Sequence, residues 1–344
     1  MKKVFSLILA LGLIASLTAC GGGNASGNET GDSAPAASTA KLRFVTGGES
    51  GTYYAFGSVI AQHATNNTDV SVTGLVGNGS KSNVEELADG NAELAFCQSD
   101  VMAYAYNGTN LFENPIDCFS TVAALYMEDV QIVTTDPSIK TVADLAGKNV
   151  SVGAAGSGVY FNAVDILSAY GLGDLDADGK FTKINATYQS FGDSADSLKD
   201  GKIDAAFIVA GAPTTAITEL QTAMDIYLLG LDDAVMDEFI ANNKVGDYAV
   251  YAKMAVTHDQ YACIPADAPI TTIGVTATYI VSNSLSEDQV YNMTKALWES
   301  KDEIAKAHAV GSGMDINNAF VTIGNVPLHP GAAKYYTEMG LNVG

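Results

Sequence analysis

From residue 41 onward, short runs of β-branched and aromatic residues alternate with segments whose apolar positions recur every three or four residues. KLRFVTG reads as a strand and TYYAFGSVIAQHATNN as an amphipathic helix. DVSVTGLV, SKSNVEELADG and AELAFCQ follow as strand, helix and strand. The alternation resumes with strand VQIVTTD, helix TVADLAGK, strand NVSVGAA, helix VYFNAVDILSAYGL, strand KINATYQ, helix DSADSLKDG and strand IDAAFIVA. SEDQVYNMTKALWESKDEIAKAHA is a long late helix. Strands and helices alternating at this spacing predict α/β units on a largely parallel sheet.

The pattern also repeats. SGTYY at 50–54 returns as SGVYF at 157–161, an offset of 107, and LADGNAELAF at 87–96 returns as LKDGKIDAAF at 198–207, an offset of 111. GDLDADGK, between the two pairs, accounts for the difference as an insertion. Two matches in the same order at nearly equal spacing predict two similarly built lobes. In each, a strand enters a Ser-Gly turn and a helix follows. A helix start carries unpaired N–H groups and about half a positive charge. Glycine lets a ligand approach that backbone closely. Two such turns facing one cleft would hold a small anion through amides and hydroxyls.

Composition narrows the setting. Residues 1–19, with Lys2 and Lys3 ahead of an apolar run too short to span a membrane, read as a signal peptide. The run ends in Leu17-Thr18-Ala19-Cys20, which resembles a bacterial lipobox, making Cys20 the expected lipidation site. Residues 21–40 are rich in Gly, Ser, Ala and Asn and read as a flexible tether. The body is thus expected outside the cytoplasmic membrane, touching it only through the anchor.

The chain holds 17 basic and 39 acidic residues, net −22, and −24 once Lys2 and Lys3 leave. Such a surface repels nucleic acid and anionic lipid. Arg43 is the single arginine. Cys97, Cys118 and Cys263 are odd in number, so buried free thiols are expected rather than a disulfide framework. The histidines lack metal-ligand spacing and no cofactor is expected. Asp174, Asp176 and Asp178 resemble the start of a calcium loop, but its twelfth position would be Asn185, a poor ligand, and a plain acidic turn is the competing reading. VTGLVGNGSKS misses both the dinucleotide and the P-loop spacing. No serine nucleophile has a convincing partner, so an enzyme is not expected.

TGGESGTYYAFGSVIAQ, VGNGSKSNVEELADGNAELAFCQSDVMAYAYNG, VSVGAAGSGVYFNAVDILSAYGL and LKDGKIDAAFIVAGAP together resemble the TAXI family. These are solute receptors of TRAP (tripartite ATP-independent periplasmic) transporters. The likeness runs from about Leu42 through Leu341. It implies a two-lobe periplasmic-binding-protein type II fold, a glutamate-like or other small carboxylate or amino acid as ligand, and delivery to TRAP membrane subunits. The same fold also serves ABC importers and sensor kinases. The resemblance places the binding residues at Gly51, Thr52 and Tyr53; at Ser80 and Asn83; at Gln98 and Ser99; and at Gly156, Ser157 and Gly158. The family's second-lobe Thr is Val159 here. Chemically, Thr52 and Ser157 offer hydroxyls beside helix amides. Asn83 either does the same or caps its helix. Asp100 either meets a ligand ammonium or caps the following helix. Lobe I is expected at 41–128 plus 270–344 and lobe II at 129–269, with crossings near LYMED and PITTIGVTA.

Overall fold

The computed structural model describes residues 39–343; the expected signal peptide, Cys20 and nearly all of the tether lie outside the described residues. The first half of the repeat forms β1 (Ala40–Val45), α1 (Thr52–Asn67), β2 (Val70–Leu75), α2 (Ser80–Ala88), β3 (Leu94–Gln98) and α3 (Ser99–Asn107). A long strand, β4 (Phe119–Thr134), leads to the second half: β5 (Asn149–Ser151), α4 (Gly158–Ala169), β6 (Asn185–Thr187), α5 (Phe191–Lys199), β7 (Ala205–Ala210) and α6 (Thr215–Ala223). Then come β8 (Tyr227–Leu229), α7 (Asp233–Asn242), a small hairpin of β9 (Lys244–Val245) and β10 (Tyr248–Ala249), β11 (Ala252–Val256) and the long β12 (Ile270–Ser282). Helices α8 (Glu287–Glu299), α9 (Lys301–Ala307) and α10 (Pro330–Glu338) close the chain.

The repeat is realised strand for strand. β1 pairs in parallel with β2 and β3, and β5 in parallel with β6 and β7. β3 then runs antiparallel to β12, and β7 antiparallel to β4. β4 and β12 are shared by both halves. Their outer parts pair from Phe119↔Ser282 to Tyr126↔Ala277, and they continue together through Met127↔Thr276 and Glu128↔Val275 to Asp129↔Gly274. Beyond that point β4 takes β7 and β8 as neighbours and β12 takes β11. The fold is a two-lobe α/β sheet of the periplasmic-binding-protein type II class, parallel in each three-stranded wing.

Two cores each centre on one half, and a third joins Val84, Tyr104 and Phe112 of the first half to Phe161 of α4. Phe44, Phe56 and Phe96 are fully buried in one core, where Phe96 lies 4.9 Å from Phe44 and 4.8 Å from the Tyr53 ring. Val130, Ile132, Val150, Ile166, Leu167 and Phe207 centre another. Apolar burial at about 25 cal/mol per Å² is the main stabilising term in each.

Several expectations change. The expected helix at TVADLAGK is a single 3₁₀ turn, Val142–Leu145, held by a Thr141–Asp144 capping box; Gly147, at φ +72°, ends it at once. The long late helix breaks at Ser300, whose ψ of 8° leaves the α region, giving α8 and α9. Of the three cysteines, Cys97 is buried, Cys118 half-buried and Cys263 exposed. In the acidic loop the Asp176 carboxylate accepts the backbone N–H of Asp178 (2.9 Å) and Lys180 (3.0 Å), and Asp174 pairs with Lys183 at 2.7 Å. Asp178 has no such role, and the three acids do not converge as ligands would.

Candidate functional site

Four helices begin at the carboxyl ends of wing strands and line one cleft of about 460 Å³. α1 brings Gly51, Thr52 and Tyr53; α2 brings Gly79 and Ser80; α4 brings Ser157, Gly158 and Val159; α5 brings Ser190 through Asp193. Ligands in open α/β sheets sit at this edge, and the volume suits a small molecule. The sequence makes each start in a different way. α4 and α5 have serine caps: Ser157 accepts from Tyr160 N at 3.3 Å and Ser190 from Asp193 N at 3.2 Å. α1 and α2 start from glycines, with no side-chain cap and no acid in the first turn. Their positive ends are left for whatever enters the cleft. Gly79 holds φ at +104°, a conformation that favours glycine.

The two walls touch. Ser82 N donates to Gly156 O at 2.9 Å, and the Thr52 hydroxyl donates to Gly211 O at 3.2 Å. A Cβ built on Gly158 would lie 1.7 Å from Gln98 Oε1. This is a closed arrangement, with backbone groups of one half bonded to the other.

Seven of the ten expected residues line the cleft: Gly51, Thr52, Tyr53, Ser80, Gln98, Ser157 and Gly158. Asn83, Ser99 and Gly156 are not among its lining residues. Asn83 is fully buried behind α2 and donates to Thr46 O (2.6 Å) and Phe96 O (2.8 Å), tying the ends of β1 and β3. It is neither a cap nor a cleft group. Ser99 Oγ accepts from Thr276 N at 3.1 Å, fastening α3 to β12. Gly156 serves through its carbonyl in the bond to Ser82.

Asp100 also lies behind the cleft. Its carboxylate accepts from Asn162 at 2.8 Å and from the Tyr251 hydroxyl at 3.3 Å, and burial pushes it up to about 7.

Sequence reasoning missed Glu128 and the α5 start. Glu128 lines the cleft, accepts the Tyr53 hydroxyl at 2.8 Å and is pushed by burial up to about 8. The repeat offset of 111 maps Gly79 onto Ser190, so the duplication already carried the α5 start. Arg43 stays away, held by Glu93 at 2.5 Å and by Gly90 O at 2.8 Å. No lysine, arginine or histidine is among the described residues lining the cleft.

The fold recurs in solved proteins. A protein of Bordetella bronchiseptica RB50 is similar at 16% identity over 87% of this chain and 82% of that chain, TM-score 0.51. A structure described as a periplasmic transporter matches at 14% identity over 79% and 87%, TM-score 0.51. The periplasmic aliphatic sulphonate binding protein SsuA of Escherichia coli matches at 15% over 81% and 80%, TM-score 0.44. The NMT1-like family model matches residues 44–340, nearly all of the described chain. The chain therefore belongs to the NMT1-like family.

Proposed function

We propose that the protein is an extracytoplasmic solute-binding receptor, anchored through Cys20, that captures a small carboxylate or amino acid and hands it to an importer in the membrane. The observation that carries this reading is the single cleft faced by four helix starts, two of them without a cap. We take lobe I as 41–128 plus 270–344 and lobe II as 129–269, hinged where β4 and β12 cross at Met127–Asp129 and Gly274–Thr276. Among the described residues no helix is long and apolar enough to cross a membrane, in keeping with a receptor that needs separate membrane subunits.

The family match carries nothing specific to TRAP, and the motif resemblance lacks its second-lobe Thr at Val159. We therefore place an ABC importer ahead of TRAP membrane subunits. Uptake driven by ATP rather than by an ion gradient separates the two.

The ligand's charge is set by two opposed terms. The chain's net charge of −22 repels anions at long range, but salt screens it over roughly 8 Å. Each helix start favours a negative group by about 0.3–1 kcal/mol, up to ~2 when partly buried, and charge-assisted hydrogen bonds add about 1.5–3 kcal/mol each. The local term wins, and the on-rate should rise with salt. A calorimetric screen of carboxylates, amino acids, polyamines and sugars is expected to find the tightest ligand among the first two classes. A polyamine or neutral sugar in that place would refute the reading.

A further inference from the structure

We propose that Glu128 and Gln98 form an ammonium subsite on the cleft floor, so that the solute carries a cationic nitrogen beside its anionic group. This rests on the receptor reading above and narrows its ligand to a zwitterion. Both residues line the cleft, and both are 2% exposed. Glu128 sits where β4 meets β12 and Gln98 ends β3, so rigid strands hold both in place.

Glu128 has no cation beside it. The Tyr53 hydroxyl donates to one oxygen at 2.8 Å, and the Gln98 amide lies next to it on the cleft floor. Gln98 Oε1 is buried and has no hydrogen-bond partner. The floor thus presents a buried acid and an orphaned carbonyl oxygen side by side. Buried acceptors left without donors are costly, and a primary ammonium, with three donors and a positive charge, satisfies both at once. The helix starts above accept the carboxylate of the same molecule. A dicarboxylate would set a second anion against Glu128.

The groups facing Glu128 supply no substitute cation. They are Tyr53 on α1, Cys97 on β3, Asp100 at the start of α3, and Tyr126 and Asp129 on β4; Asp193 and Asp196 of α5 line the opposite wall. Burial pushes the Glu128 carboxyl up to about 8. Seating an ammonium requires the carboxylate, so binding near pH 7 releases a proton.

The test is calorimetry at pH 7 with matched pairs, each protein amino acid against its des-amino acid: L-glutamate against glutarate, L-alanine against propionate, and so on. The tightest amino acid is expected to bind at least about tenfold better than its partner, and Glu128→Gln should reduce that advantage to near parity. Repeating the titration in buffers of different ionisation enthalpy should give close to one proton released for the wild type and none for Glu128→Gln. If that variant does not fold, the wild-type proton count decides alone. Des-amino acids binding as well as their partners, or no proton release, would overturn the subsite and leave the receptor intact. If no member of any pair binds, the receptor reading falls, and the subsite with it.

Discussion

Gly158→Ala is expected to weaken solute binding roughly 10- to 100-fold while both lobes stay folded. The added Cβ would sit 1.7 Å from Gln98 Oε1, 2.5 Å from its Cδ and 2.9 Å from Ser80 Oγ. No contact this short survives, so either the walls part or the Gln98 amide swings into the space reserved for ligand. Overpacking of this kind costs about 1–3 kcal/mol, and here the cost falls on the closed, ligand-bearing state alone. Separated lobes bring no Gln98 to Gly158, so the melting of the ligand-free protein should hardly change. Calorimetric titration beside ligand-free thermal melts checks both halves of this expectation. Wild-type affinity in the variant would mean that the two walls do not meet at Gly158 when solute is bound.

The second large effect concerns pH. Burial raises four carboxyls: Asp100 and Asp129 to about 7, Asp165 to about 6 and Glu128 to about 8. In the unfolded chain such groups titrate near 4, so between about pH 4 and 8 the folded protein binds more protons than the unfolded one. By linkage, stability then falls as pH rises through that window and levels off above it. Exposed acids such as Asp136, Asp144 and Asp315 are shifted downward by the backbone N–H and side-chain donors they accept from; their contribution is lost as pH falls below about 4. The maximum should therefore lie near pH 5.

Asp100 is the sharpest probe. A rise from 3.8 to about 7 corresponds to about 4 kcal/mol at full titration, taking about 1.4 kcal/mol per unit. Asp100→Asn keeps the acceptor used by Asn162 and Tyr251 and removes the titration. Its melting temperature at pH 8.5 is expected to exceed the wild type's by roughly 5 °C or more, with a flatter profile between pH 5 and 8.5. A variant less stable than wild type at pH 8.5 would contradict this.

Much of the architecture was written in local pattern. The period-two and period-3.6 runs placed β1 through β3 and α1 through α3, and the internal repeat foretold that the second half would copy their pairing. The Ser-Gly turns announced two of the four helix starts. The rest depends on distance in space. Nothing local distinguishes Asn83, which ties two strand ends, from Ser80 three residues earlier, whose face of the same helix meets the cleft. Glu128 lies in an apolar strand and is brought to the cleft floor only because β12 and α1 fold against it. Asp100 follows two residues expected at the cleft, but the first turn of α3 rotates it toward Asn162 and Tyr251. The break at Ser300 is likewise tertiary, since the segment's helical pattern runs through it.

The central claim is that two lobes close on a solute held between the helix starts. Small-angle X-ray scattering, with and without the tightest ligand from the calorimetric screen, tests it most directly. The account predicts a smaller radius of gyration at saturation for the wild type and a weaker contraction for Gly158→Ala; an unchanged wild-type radius at saturation would contradict it.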